Sequence, residues 1–360
     1  MPIITFSSVE IEPDMTHRRI HLLEKIQVQL ATAGSLAVVY FALWPGVRPW
    51  DPEGPVTFLP AGNYVQLFTF IVACWSLAAA CAIATIHARP EGALLAVLLG
   101  AGGISLHSPR MRGLLWWRMD DVSGVYWEMI VEVLILTVVL FAIAVIIVLI
   151  RRAIERIRPG WVWKHPLARL PESQRELSGA GRSKRLKALE SSVLDWMEAG
   201  IFRLHLGVKD RRRKEQSAGS KTFYRCLNFM MLALIVAIVL LMLLMRSADR
   251  GQILFALLGG SATAVMVAHQ VFPAPYSIVA AAVPVLTAVL FYALAALTSI
   301  GGSAHAWIDV PLYARALPVD WLTAGTGGAV LGYWISARIH ESRLMEQLEQ
   351  EQSKQGARGG

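Results

Sequence analysis

The feature that most constrains this chain is a series of eight long apolar stretches. They occupy Gln29–Trp44, Tyr64–Ile86, Ala93–Leu106, Tyr126–Ile150, Leu227–Met245, Gln252–His269, Tyr276–Ile300 and Trp321–Arg338. About 20 apolar residues in a helix cross the hydrocarbon core of a bilayer. Ile278–Ile300 has no charged residue and Ile130–Ile150 has a single carboxylate. These two stretches therefore fit a membrane span without ambiguity.

The expected conformation of each stretch is a helix, because in lipid every backbone N–H and C=O must be hydrogen-bonded within its own segment. Composition agrees, since 55% of the 360 residues are hydrophobic and only 17% are charged. An average soluble domain carries about 25% charged residues, so a soluble enzyme with one ordinary core is disfavoured. We predict an all-α integral membrane protein with about eight transmembrane helices. Ala93–Leu106 is short, and is either a full span, a half-helix or a re-entrant loop.

The basic residues predict the orientation. With the N-terminus inside, 27 of the 34 Lys and Arg residues lie on the inner side of an eight-span arrangement. Lys and Arg accumulate on the cytoplasmic side of membranes, so both termini are expected there. The predicted regions are a cytoplasmic N-terminal segment 1–28, helices one to four in 29–150, a basic cytoplasmic loop 151–226, helices five to eight in 227–338 and a cytoplasmic tail 339–360.

The loop 151–226 carries 19 basic and 8 acidic residues. Its candidate contacts with anionic lipid are Arg211, Arg212, Arg213 and Lys214 beside the fifth span, and Lys184 and Lys187 in an amphipathic helix predicted over 182–204. Three alternative positions are open for this helix: in the headgroup plane, against the inner ends of the spans, or paired with a second subunit. We expect anionic lipid headgroups as partners, with a homo-oligomer or other membrane proteins as further candidates. No nucleic acid is expected, because no recognisable module is present.

Spans two to four resemble spans five to seven in layout. A shift of 159 positions aligns Gly92, Leu95, Leu98, Leu99 and Gly100 with Gly251, Leu254, Leu257, Leu258 and Gly259. Units of three helices in opposite orientation are typical of many secondary transporters, and short Gly-interrupted segments then indicate the binding region. Those segments are Gly100–Gly103 and Gly259–Ala262. The alternative is that these small residues only let helices approach closely.

Two carboxylates in the fourth span are candidate functional groups, because an ion at the centre of a membrane helix costs about 2.5–3.5 kcal/mol. Glu128 and Glu132 are one turn apart and share a helix face. Their candidate partners on the preceding segment are His107, Arg110, Arg112 and Arg118. The arrangement predicts either a site that responds to protons or cations, or an ion pair joining spans three and four. His269 is a further candidate at the inner end of span six.

No catalytic motif is recognisable, and no metal or cofactor is predicted. The sequence contains no Walker A pattern, GxSxG, CxxC or HExxH. The favoured function is a non-enzymatic scaffold, assembly or regulatory protein with a basic lipid-contacting loop. The alternative is a small secondary transporter or channel with Glu128 and Glu132 in its pathway, and a membrane-embedded lipid-modifying enzyme has less support. Abundant Ala, Gly and Arg favour the bacterial cytoplasmic (inner) membrane.

Overall fold

The computed structural model describes residues 13–49, 54–108, 111–162, 212–274, 277–298 and 310–359. Regular structure in these ranges is helical, without a strand. The long helices are α1 (Pro13–Ala37), α2 (Tyr64–Ala84), α3 (Pro90–His107), α4 (Val122–Ile157), α5 (Arg212–Leu244), α6 (Arg250–Val271), α7 (Ser277–Thr298) and α8 (Thr326–Gly359). The prediction of an all-helical protein is confirmed for this part of the chain.

Seven helical stretches of the described chain are long and apolar enough to cross a membrane. They are Leu22–Val47, Tyr64–Ala84, Pro90–His107, Met119–Ile157, Phe223–Leu244, Arg250–Val271 and Ser277–Thr298. The stretch expected at Ala93–Leu106 is a helix of 18 residues. The eighth expected stretch contributes α8, which is not among the seven because charged residues from Arg338 onward dilute its apolar ones.

Burial divides the helices into an inner and an outer set. In α3, 67% of the most apolar window is buried inside the protein, against 22% in α5. The apolar surface of α5 therefore faces outward, as expected of a helix in contact with lipid. Small residues let α3 occupy the interior, since an added Cβ at Gly103 would lie 3.1 Å from the backbone nitrogen of Tyr40.

The helices pack in two halves joined by α4 and α7. In the first half α3 packs against α1 and α2, and α2 packs against α4. In the second half α5 packs against α6 and α7, and α6 packs against α8. The α4 and α7 helices pack against each other, and α8 also contacts α7 and α3. Helix α8 therefore touches both halves.

Short irregular segments connect the long helices at one end of the bundle. A π-helical turn, Val38–Leu43, prolongs α1 into the helical turn Trp44–Val47. Another π-helical turn, Trp321–Gly325, leads into α8. An added Cβ at Gly325 would lie 3.2 Å from the Cβ of Pro284, so Pro284 in α7 packs against this turn. At the start of α4, the side chain of Asp121 accepts a hydrogen bond from the N–H of Gly124 at 2.9 Å.

Polar side chains are concentrated in two layers of the bundle. The Asp320 layer contains Ser105, Ser108, Glu132, Arg250, Asp320 and Thr323, and the Arg338 layer contains Glu24, Arg89, Arg151, His269, Ser336, Arg338 and Glu341. Glu132 and Arg151 on α4 are 19 residues apart, as are Arg250 and His269 on α6. At 1.5 Å per residue the layers are about 28 Å apart.

Candidate functional site

Glu132 is fully buried beneath a loop that precedes α2. Its Oε2 atom accepts hydrogen bonds from the N–H groups of Phe58 and Leu59, with N···O distances of 2.9 and 3.0 Å. The relative exposure of Glu132 is 0%. Backbone amides therefore hold this carboxylate, and among the described residues no cationic side chain forms an ion pair with it.

The loop over Glu132, residues 54–63, is itself fixed by hydrogen bonds; we call it the outer loop. The N–H of Val56 donates to Oγ of Ser108 at 2.9 Å, and Nδ2 of Asn63 donates to the carbonyl of Thr57 at 3.1 Å. Gly62 adopts a positive φ of 67°, which favours glycine and lets the chain turn into α2. The ring of Phe58 is buried against that of Phe70 on α2, with centroids 5.4 Å apart.

Glu128 lies in a more exposed environment than Glu132, although one turn separates them. Its Oε1 atom accepts a hydrogen bond from Arg118 at 3.1 Å, and its side chain is 39% exposed. Arg118 also contacts Asp121 at 3.2 Å. The hydrogen bond to Glu128 is the main cause that raises the pKa of Arg118. The structure thus gives the two carboxylates different surroundings: an ion pair for Glu128 and amide donors for Glu132.

The remaining predicted partners lie away from Glu132 or outside the described residues. The ring of His107 stacks on Tyr40 and Trp44, with centroid distances of 3.9 and 4.5 Å, and its Nε2 donates to the carbonyl of Tyr40 at 3.0 Å. Arg112 is exposed at the start of the short helix Arg112–Trp117. Arg110 lies outside the described residues.

An ion pair that the sequence did not reveal lies at the centre of the Asp320 layer. The guanidinium of Arg250 donates to both carboxylate oxygens of Asp320 at 2.6 Å, and to the carbonyl of Ser105 at 2.8 Å. Ser105 and Thr323 form a hydrogen bond at 3.0 Å. Asp320 also accepts from the N–H of Leu317 at 2.8 Å. The pair thus joins α6, α3 and the segment that begins α8.

A second group of ion pairs joins α1, α3 and α8 in the Arg338 layer. Glu24 pairs with Arg338, and Arg89 pairs with Glu341. Oε1 of Glu24 also accepts from the N–H of Arg89 at 3.3 Å. Burial lowers the pKa of Arg89, and Glu91 and Glu24 oppose this shift.

Arg151 belongs to the same layer but is bound by main-chain oxygens. It donates to the carbonyls of Thr85 and Ile86, at 3.3 and 3.0 Å, and to that of Ala88. These three carbonyls lie in the turn directly after α2. Arg151 therefore closes the turn between α2 and α3.

His269, the predicted candidate on the inner side, is buried between α6 and α8. Its Nε2 donates to the carbonyl of Ala274 at 3.1 Å. The other ring nitrogen, Nδ1, is then the acceptor for the hydroxyl of Ser336, at an N···O distance of 2.9 Å. The ring of His340 lies 5.3 Å from that of His269. This histidine is thus held by a short turn on one side and by α8 on the other.

Small residues of α3, α6 and α8 lie at helix contacts. An added Cβ would lie 2.2 Å from the carbonyl oxygen of Leu258 at Gly328, and 2.1 Å from that of Ala262 at Gly332. In the first half Gly100 lies against Ser35, whose hydroxyl donates to the carbonyl of Ala96 at 2.7 Å. Both Gly-containing segments, Gly100–Gly103 and Gly259–Ala262, therefore support close packing.

The basic cluster of the loop is only partly within the described chain. Arg212, Arg213 and Lys214 are the first residues of α5, whereas Lys184, Lys187, Arg211 and the helix predicted over 182–204 lie outside the described residues. The structure describes no group of three or more His, Cys, Asp or Glu side chains that could hold a metal. No protein-family model, curated protein or solved structure matches the chain.

Proposed function

We propose that this protein is a non-enzymatic membrane scaffold with eight transmembrane helices and both termini in the cytoplasm. The separation of the two polar layers supports this arrangement. It is about 28 Å, close to the hydrocarbon thickness of about 30 Å. Each layer then lies near one surface of the membrane, with the Asp320 layer outside and the Arg338 layer inside.

Helix α8 is proposed as the eighth span on the basis of its contacts at both layers. Thr323, just before α8, bonds to Ser105 near the end of α3, and Glu341 pairs with Arg89 directly before α3. The α8 segment therefore runs antiparallel to α3 over the full length of a helix that is itself long enough to cross. Its lower apolar content fits a position between other helices instead of one against lipid.

The inverted repeat of spans two to four and five to seven is part of the proposal. In both units the first helix packs against the second and the third: α2 against α3 and α4, and α5 against α6 and α7. The third helices, α4 and α7, pack against each other. Such a pairing is expected for two units related by an axis between α4 and α7.

The proposed membrane is the bacterial cytoplasmic (inner) membrane, with the basic connection 151–226 on its anionic inner leaflet. Each Lys or Arg near such a surface contributes about 1 kcal/mol. The four consecutive basic residues Arg211, Arg212, Arg213 and Lys214 directly precede or begin α5. A second copy of the chain or another membrane protein is the proposed scaffolding partner.

The observation that carries the scaffold proposal is that the central ion pairs are satisfied within the chain. Arg250 donates hydrogen bonds to Asp320 and Ser105, and charged side chains of the Arg338 layer form ion pairs with one another. A transport pathway needs polar groups that are free to bind a solute. The alternative is a transporter with Glu128 and Glu132 in its pathway. It is favoured by the second carboxylate oxygen of each residue, which is buried without a hydrogen-bond partner among the described residues.

Reconstitution into liposomes separates the two functions. We expect purified protein in vesicles with imposed proton and sodium gradients to dissipate them no faster than protein-free vesicles do. Glu132→Gln is the matched variant, because its amide oxygen still accepts from Phe58 and Leu59. Dissipation above the background that Glu132→Gln abolishes would establish the transporter and reject the scaffold.

A further inference from the structure

Three buried oxygen atoms near the outer loop have no hydrogen-bond partner within the described chain. They are Oε1 of Glu132, Oγ1 of Thr57 and Oε1 of Gln66. Their residues are 0%, 0% and 8% exposed. A buried polar group without a partner costs about 1–3 kcal/mol. Each of these three oxygens has lone pairs that can coordinate a cation.

The three residues belong to one small region of the fold. Thr57 directly precedes Phe58, whose N–H lies 2.9 Å from the other oxygen of the Glu132 carboxylate. Gln66 lies one turn before Phe70 on the same face of α2, and Phe70 contacts Phe58. The outer loop thus brings α2 and α4 together around the Glu132 carboxylate.

When Glu132 is ionised, the charge of this region is minus one. Glu128 is the nearest other carboxylate, and Arg118 pairs with it and with Asp121. Glu132 receives only backbone amides, so its charge is not cancelled by a described cationic side chain. A buried charge of this kind is expected to be paired or to hold a metal ion.

We propose that Glu132, Thr57 and Gln66 bind one monovalent alkali cation beneath the outer loop. Carboxylate, hydroxyl and amide oxygens are hard ligands that suit such an ion. Calcium takes 6–8 oxygen ligands, and its second charge would exceed the single negative charge present. The ion would tie the outer loop to α2 and α4. This site does not rest on the scaffold proposal, because a static ion serves a scaffold and a transporter equally.

Sodium is the probe for the test, with full-length protein in nanodiscs of zwitterionic lipid. We expect radioactive sodium to bind saturably, at about one ion per chain, and Glu132→Gln to weaken binding roughly tenfold or more. Thr57→Val removes the hydroxyl without changing the shape and should also weaken binding. Glu346→Gln at an exposed position of α8 and Thr69→Val at a half-buried position of α2 are the matched controls and should leave binding unchanged.

A stability measurement keeps the proposal testable if a variant folds poorly. Sodium chloride should raise the unfolding temperature of the wild-type protein above its value in N-methylglucamine chloride at equal ionic strength, since a ligand of the native state stabilises it. The difference should vanish in Glu132→Gln. Absence of saturable sodium binding by the wild type, or equal binding by Glu132→Gln, would overturn the site. Neither result depends on whether the protein moves ions across a membrane.

Discussion

At the scale of single residues, buried charges are stabilised by geometry that joins distant parts of the chain. Arg250 and Asp320 are separated by 70 positions, yet two parallel N–H···O bonds of 2.6 Å connect them. The carboxylate of Asp320 is 0% exposed and the Arg250 side chain is 14% exposed. Removing one partner of such a pair leaves the other charge buried.

We therefore expect Arg250→Gln to lower the free energy of unfolding by about 3–5 kcal/mol, because Asp320 loses its counter-ion. The measurement is the unfolding midpoint of purified protein in detergent micelles. Arg246→Gln, at an exposed position four residues earlier, is the control and should change the midpoint little. Equal effects of the two substitutions would show that the ion pair has no special role.

At the scale of helices, α8 is held in the bundle by backbone contact with α6. Gly328 and Gly332 are one turn apart, and both face carbonyl oxygens of α6. A backbone carbonyl cannot rotate away as a side chain does, so a methyl group at either position must push the helices apart. Small residues allow the close approach on which helix association in lipid depends.

Gly332→Ala is expected to lower the free energy of unfolding by about 1–3 kcal/mol through overpacking, despite the better helix propensity of alanine. Gly251→Ala is the matched control, because an added Cβ there meets nothing within 4 Å. The unfolding midpoints of the two variants in micelles give the comparison. A Gly332→Ala protein as stable as the wild type would mean that α6 and α8 can separate without cost.

The sequence predicted helices more readily than it predicted their contacts. Apolar length was enough to place seven helical stretches to within seven residues at each end, and within three in Pro90–His107 for the expected Ala93–Leu106. Hydropathy placed Glu132 in a helix but not beneath the outer loop. The donor there is the backbone N–H of Phe58, and residue types do not show which backbone N–H groups bind a side chain.

Ion pairs between residues distant in the sequence could not be predicted either. The Arg250–Asp320 and Glu24–Arg338 pairs have no local spacing, since each joins two segments that only the fold brings together. A local pair was within reach of sequence reasoning, as Arg118 and Glu128 show. Candidate partners ten residues apart can therefore be named from the sequence, whereas partners seventy or more residues apart cannot.

At the scale of the whole molecule, the central claim is that eight helices cross the membrane with the basic connection inside. In the proposed arrangement the polar layers, about 28 Å apart along α4 and α6, lie near opposite membrane surfaces, and α8 has one end at each. The proposal puts the 19 basic residues of the 151–226 connection on the cytoplasmic side. It therefore predicts the side on which each connection is found.

Labelling of single cysteines in intact cells tests this claim directly, in a chain whose Cys226 is replaced by serine and whose Cys74 and Cys81 are buried. The three probes are Ser191→Cys in the basic connection, Ala248→Cys between α5 and α6, and Ser353→Cys near the end of α8. A membrane-impermeant maleimide should label only Ala248→Cys in intact cells, and all three after permeabilisation. Labelling of Ser353→Cys in intact cells would show that α8 does not cross, and labelling of Ser191→Cys would reverse the orientation.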